Sequence, residues 1–296
     1  MSRFLKISGA LTIALALHSP VGVAEPVGGE HWELAQRARR DGEVPDLAPM
    51  ERMRASRLFA TLAHEAKQGE ITDATRVLAR QLGLFSRLEG DLLTIWGERE
   101  PHGLFVLRVG AAPDLVIQAP HSFYDLRSGE IAAELFARSG ARALFFNSAH
   151  RFGGPGDAGE PEAENPPDVA HRPYSLFQAA SYGMLLGLER PEVVQVHGYR
   201  SRDGEHAVVS RGRALQSSKA VEEVIELLAE HELQGVTGRE MSELAGRKNV
   251  QGMLIGDRGT FLHLELSREA RDLMMERDEL LDDLAELLRD RAGGDR

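Results

Sequence analysis

From residue 104 onward the sequence alternates short apolar runs with stretches of helical periodicity, and this alternation constrains the fold more than any other feature. The apolar runs are Leu104–Val109, Leu115–Ala119, Ala143–Phe146, Val193–Val196, Ala207–Ser210 and Phe261–Leu266. Helical patterns lie near Ser128–Arg138, Tyr174–Leu188 and Ser217–His231, and a charged amphipathic one from Ser267 to about Arg291 closes the chain. Strands that alternate with helices join through right-handed crossovers and line up in parallel. The expected fold is α/β, three-layered, with a mostly parallel or mixed central sheet and helices on both faces.

Ahead of this region, from Glu30 to about Glu89, the periodicity is helical: Leu58, Phe59, Leu62 and Ala63 recur at helical spacing, as do Val77, Leu78 and Leu82. A helical leader packed on the main domain is expected there. The first residues have another character. Arg3 and Lys6 precede an apolar run, Ile7–Leu17, and Gly22-Val23-Ala24 offers small residues for cleavage. That is the layout of a secretory signal peptide, and the run is too short to cross a bilayer of about 30 Å. The expected division is residues 1–24 as signal peptide, 25–90 as helical N-terminal segment and 91–296 as the α/β domain. The mature protein is expected to be exported, periplasmic or secreted, with no membrane association after cleavage.

Composition narrows the chemistry. The 296 residues include no cysteine, which removes thiolate metal sites and cysteine nucleophiles. The net charge of −11 argues against a nucleic-acid partner, because phosphate binding needs a basic face. Within the glycine- and proline-rich stretch between Arg151 and Pro173, residues 154–159 match G-x-G-x-x-G, but no strand leads directly into them and no helix can follow.

The apolar runs end in polar side chains. Leu115–Ala119 leads to His121 and Asp125; Ala143–Phe146 leads to Asn147, His150 and Arg151; Val193–Val196 leads to His197; Phe261–Leu264 leads to Glu265. Parallel strands bring their carboxyl ends to one edge, where open α/β sheets bind ligands. Catalytic zinc takes three nitrogen or oxygen ligands and keeps one position open. His121, Asp125 and His197 can supply that set, provided the two imidazoles, 76 positions apart, come within about five metal–nitrogen bond lengths of each other. Glu265 then suits a general base that takes a proton from the attacking water and passes it to the leaving group. Arg151 can grip a substrate carboxylate in two-pronged fashion, and Asn147 can orient it.

Each residue has a plainer reading. A histidine at a strand end is often a satisfied polar group, Asp125 suits a turn, Arg151 suits a loop surface, and Glu265 suits a solvated strand end. His150, His171 and Asp168 form a second polar group near the long loop. Arg200, Arg202, Arg211 and Arg213 read as an anionic-substrate rim or as a charged face.

The segments Ala119–Asp125, Phe146–Arg151, Val196-His197-Gly198, Asn249–Gly252 and Leu262–Ser267 resemble, in this order, the zinc-dependent carboxypeptidase superfamily, in particular its poly-γ-glutamate hydrolase and N-formylglutamate amidohydrolase relatives. The resemblance implies a phosphorylase/hydrolase-like fold. It also implies a zinc held by His121, a nearby carboxylate and His197, with Glu265 as base and Arg151 as carboxylate anchor. The chain departs from that pattern in carrying Tyr124 three residues after His121 and its acid, Asp125, at the fourth. The expected activity is hydrolysis of an amide bond in a small acidic or peptide-like substrate. The alternatives are a non-catalytic exported binding protein for an anionic ligand, using the same crevice, and a metal-free hydrolase built on Ser122 with His150 or His197.

Overall fold

A computed structural model describes residues 27–40, 42, 44–97, 102–151, 168–200, 204–214 and 217–294. The signal-peptide segment lies outside these residues, as do positions 152–167 of the long loop and Arg202.

Among the described residues nine strands form one mixed sheet in the order β1-β2-β3-β5-β4-β6-β9-β7-β8. Its centre is four parallel strands: β5 (Ala143–Phe146), β4 (Leu115–Ala119), β6 (Glu192–Tyr199) and β9 (Thr260–Ser267). These are the four whose ends carry the candidate site residues. Beyond β5 lies an antiparallel meander, β1 (Leu84–Glu89), β2 (Leu92–Gly97) and β3 (Leu104–Arg108); beyond β9 lies antiparallel β7 (Ala207–Ser210), itself parallel to β8 (Gly235–Thr237).

Side-chain alternation along the strands divides the core between two faces. Val106, Ile117, Leu144, Val194 and Leu264 pack against α1 (Gly29–Ala38), α4 (Ser128–Ser139), α6 (Lys219–Glu230), α8 (Arg268–Glu276) and α9 (Asp278–Gly293). Phe105, Val116, Phe145, Val193 and Phe261 pack against α2 (Pro49–Gln68) and α5 (Leu176–Gly187), with α3 (Asp73–Gln81) at one side. Strands buried on both faces read as continuous apolar runs, which is why the sequence shows them so plainly. The N-terminal helices belong to both layers: α1 lies on one face and α2 on the other. Along α5, Gly183 and Gly187 let α2 approach closely, since a Cβ at either would come within 2.5 Å of a carbonyl oxygen, that of Ser56 or of Ala60.

Two elements differ from the sequence expectation. Leu84–Glu89 continues no helix but pairs with β2 as a hairpin closed at Glu89 and Leu92, with Gly90 at φ +58° in the turn. Most of β1 is exposed, so its polar residues mimic a helix surface. The closing helix is two helices, α8 and α9, broken at Arg277, whose backbone is extended at φ −121°, ψ 92°. Among the described residues no helix is long and apolar enough to cross a membrane.

Candidate metal centre and cleft

The turn after β4 is a single helical turn, with the amides of Tyr124 and Asp125 both bonded to the carbonyl of His121. A four-residue spacing on such a turn sends His121 and Asp125 to the same side. Tyr124 points outward, 44% exposed, and Asp125 is buried. On β6 and β9 the register sets His197 beside Glu265 and Gln195 beside His263, all on one face of the sheet.

The geometry then closes. His121 Nδ1 lies 3.1 Å from His197 Nδ1 and 3.3 Å from Asp125 Oδ2, and His197 Nδ1 lies 3.8 Å from the same Oδ2. The two rings meet edge-on with centroids 4.8 Å apart. Ligand atoms on a tetrahedral ion with bonds of about 2.0–2.1 Å stand about 3.3 Å from one another, so this triangle has the size of one face of a zinc coordination shell. The outward nitrogens are held as metal ligands require. His121 Nε2 meets Asp168 Oδ1 at 2.9 Å, and His197 Nε2 meets Gln195 Oε1 at 3.1 Å. Both acceptors draw the ring proton to Nε2, which leaves two Nδ1 lone pairs facing each other unless a cation or a proton lies between them. Asp125 Oδ1 is buried with no hydrogen-bond partner among the described residues, and Oδ2 accepts the Gly198 amide at 2.9 Å. The three residues together could hold a metal ion.

Charges match this arrangement. Burial works to lower the pKa of His121, but the carboxylates of Asp168 and Asp125 outweigh it and hold the imidazolium to about 9. Burial works to raise Asp168, and His121, His171 and Arg151 pull it far below the carboxylate range. Burial, with the neighbouring His263, His121 and Arg151, keeps His197 well below its usual value, and His263 falls to about 3, chiefly by burial. Glu265 is pushed up to about 8 by burial and by the Asp125 carboxylate. A raised carboxyl in a cleft, within 4.8 Å of a ring nitrogen of His197, suits proton transfer near neutrality.

One consequence is testable by pH. Without a metal, His121 keeps its proton to about 9 when folded against 6.5 otherwise. Its contribution to stability is complete below pH 6.5 and is lost as the pH rises through 9. The melting temperature of metal-free protein should therefore fall across that window, and a saturating divalent cation, which replaces the proton, should remove most of the fall. Melts that stay flat with pH after chelation would show that His121 carries no such proton.

The remaining sequence candidates are placed as follows. Arg151 faces the cleft, with Nε and Nη2 each 3.0 Å from Asp168 Oδ2. Asn147 is buried, its Oδ1 accepting the Ala149 amide, and is not among the cleft-lining side chains. The Ser122 hydroxyl donates to the Ala119 carbonyl, turned away from the cleft. His171 Nδ1 bonds Asp168 at 3.1 Å, and the His150 ring meets the Tyr124 ring. Sequence reading placed Asp168 in a second polar group near the long loop and passed over Gln195 and Arg271 as site residues. A readable trace existed for one of them, since Gln195 interrupts an otherwise apolar strand.

The centre opens into a cleft of about 1170 Å³. Its described lining carries seven Arg or Lys side chains, Arg200, Arg213, Arg247, Lys248 and Arg268 among them, against the three carboxyls of Asp125, Glu243 and Glu265. Deepest among the described cations is Arg271, 5% exposed, with Nε and Nη1 lacking any hydrogen-bond partner among the described residues. Gly198 makes room for it: a Cβ there would lie 1.1 Å from Nη1.

Fold and site together define an α/β protein with a candidate metal centre at the carboxyl edge of a mixed sheet. No protein-family model matches the chain, and no curated protein matches its sequence. Among solved structures, it is similar to N-formylglutamate amidohydrolase from Ralstonia eutropha JMP134, at 14% identity and TM-score 0.43 over 64% of this chain and 98% of that one. It is also similar to a bacteriophage poly-gamma-glutamate hydrolase, at 13% identity and TM-score 0.41 over 60% of this chain and 83% of that one. A third likeness is to zinc-free YNDL, at 15% identity and TM-score 0.42 over 64% of this chain and 90% of that one.

Proposed function

We propose that the protein is an exported zinc-dependent hydrolase that cleaves an amide bond in a small acidic or peptide-like substrate. The observation that carries this reading is the close approach of the His121 and His197 Nδ1 atoms, 3.1 Å apart, with Asp125 completing a triangle of zinc dimensions beside Glu265. His121, Asp125 and His197 would hold the ion, with Asp168 steadying His121 through its Nε2; when bound, the ion would supply Lewis acidity and lower the pKa of an attacking water. Glu265 takes that water's proton and delivers it to the departing amine. Export is supported by the charged, apolar and small-residue segments of residues 1–24.

The cationic cleft supports the anionic character of the substrate, and Arg271 is the lining cation with two buried nitrogens, Nε and Nη1, that no described residue bonds. Buried guanidinium nitrogens without a hydrogen-bond partner are costly, so an arriving carboxylate or other oxyanion gains a charge-assisted bond there at little further desolvation. Arg151, already on Asp168, remains a second anchor. Such bonds contribute about 1.5–3 kcal/mol. Arg271→Ala should therefore raise KM for a carboxylate-bearing substrate by about ten- to a hundredfold and leave KM for its amidated analogue within about threefold. Equal effects on both substrates would remove Arg271 from substrate recognition.

One observation favours the reading without catalysis. His121 lies between the carboxylates of Asp125 and Asp168, at 3.3 and 2.9 Å, and this pair favours a proton on the ring in the place a cation would take. Metal analysis after chelator-free purification decides between the two. About one equivalent of zinc per chain, removed together with amidase activity by chelation, supports the hydrolase. Less than a tenth of an equivalent of any divalent metal supports a binding protein.

A further inference from the structure

Two buried glutamines lie where the central strands are otherwise apolar, Gln118 on β4 and Gln195 on β6, side by side in register. They belong to a run of hydrogen bonds whose direction can be read from its ends. Asn249 caps the short helix Val250–Leu254 by accepting the Gln251 amide on Oδ1 at 2.9 Å, so its Nδ2 is the group that meets Gln195 Oε1, at 2.6 Å. Gln195 must then present Nε2 to Gln118 Oε1, at 2.7 Å, and Gln118 must present Nε2 to Ser181 Oγ, at 2.9 Å. The Ser181 hydroxyl donates onward to the Phe177 carbonyl of the preceding turn, at 2.8 Å. No amide in the run can turn over alone without setting donor against donor and acceptor against acceptor, an outcome buried polar groups avoid. The same Gln195 Oε1 accepts from His197 Nε2.

We propose that Asn249, acting through Gln195, sets the tautomer of His197 and so turns its Nδ1 lone pair toward His121 and the metal. Asn249 is a positioning residue, and Gln118 and Ser181 hold the orientation from the other end. This rests on the metal-centre reading above, to which it adds a control of cation affinity by a side chain that touches no candidate ligand atom.

Two substitutions separate this role from simple charge or packing. Asn249→Asp keeps an acceptor for the Gln251 amide but offers Gln195 no donor. The amides of Gln195 and Gln118 can then reverse together, all satisfied, with Ser181 donating to Gln118. Gln195 would present Nε2 to His197, and the ring proton would move to Nδ1, where it blocks the cation. Gln195→Glu adds the same charge nearby yet keeps an acceptor on His197 Nε2, so the ring proton stays. Imidazole 15N spectra of the metal-free proteins at pH 8 should show His197 protonated at Nε2 in the parent and in Gln195→Glu, and at Nδ1 in Asn249→Asp. Zinc affinity, by competition with a chromophoric chelator, should fall about ten- to a hundredfold in Asn249→Asp and hold within a few fold, or tighten, in Gln195→Glu. The proposal is overturned if the parent spectrum shows the proton on Nδ1, if Asn249→Asp leaves it on Nε2, or if both variants shift zinc affinity in the same direction by similar factors. Absence of zinc binding by the parent would remove the metal-centre reading, while its metal-free spectrum would still report on the relay.

Discussion

Glu265→Gln should lower kcat by about a thousandfold and leave zinc affinity within about threefold of the parent. Glutamine has the size of glutamate but cannot take a proton, and a positioned general base contributes roughly 10²–10⁴ in rate. Glu265 lies on β9 next to His197 and is not in the triangle formed by His121, Asp125 and His197, so its loss removes no ligand from that set. The same substitution should stabilise the metal-free protein. Burial and the Asp125 carboxylate raise this carboxyl from 4.5 to about 8, so its ionisation opposes folding as the pH climbs above 4.5, by on the order of 5 kcal/mol at most once the pH exceeds 8. A stability gain coupled to a collapse in turnover is the pattern of a group kept for chemistry. Activity within tenfold of the parent would exclude Glu265 as the base.

His197→Ala should abolish stoichiometric metal binding, with affinity for zinc falling about a thousandfold and less than a tenth of an equivalent retained after desalting. Structural zinc in small peptides derives apparent binding energies of about 10 kcal/mol or more from only four ligands, so losing one of three is a large fraction of the whole. His197 is the better residue to test than His121. Burial keeps it neutral, so alanine leaves no stranded charge, whereas removing His121 would leave Asp125 and Asp168 buried without the proton they share. The metal-free His197→Ala protein should accordingly fold, and circular dichroism checks that it does. A folded variant that still holds one zinc would show that the ion, if present, is bound elsewhere.

The parts that could be read from the sequence and the parts that could not differ for physical reasons. The four central strands were readable because parallel strands covered on both faces are continuously apolar. The β1–β2 hairpin escaped because it is an edge, with Phe85 and Leu88 exposed and Ser86, Arg87 and Glu89 interspersed as on a helix surface. Its signal, Gly90-Asp91, is short and easily overlooked among the 30 glycines of the chain. The break at Arg277 escaped because both flanking segments keep the same helical period, and only the need for α8 and α9 each to lay an apolar face on the core separates them. At the site, His121, Asp125, His197 and Glu265 were readable as polar ends of apolar runs. Arg151 and Asn147 had the same credentials, yet Arg151 faces the cleft already bonded to Asp168, while Asn147 accepts the Ala149 amide and is not among the cleft-lining side chains. Position in the sequence does not tell which way a loop side chain faces.

By itself, the sequence determined which chemical groups would gather at one edge of the sheet, because the order of strands and the polar residues closing them are local properties. Only the tertiary structure decided which nitrogen of each ring faces the other. That choice depends on acceptors from remote segments: Asp168 lies 47 positions from His121, and Gln195 is itself oriented by Asn249, 54 positions away. A hydrogen bond's direction is settled by the last partner in its network, and that partner is found only when the chain has folded.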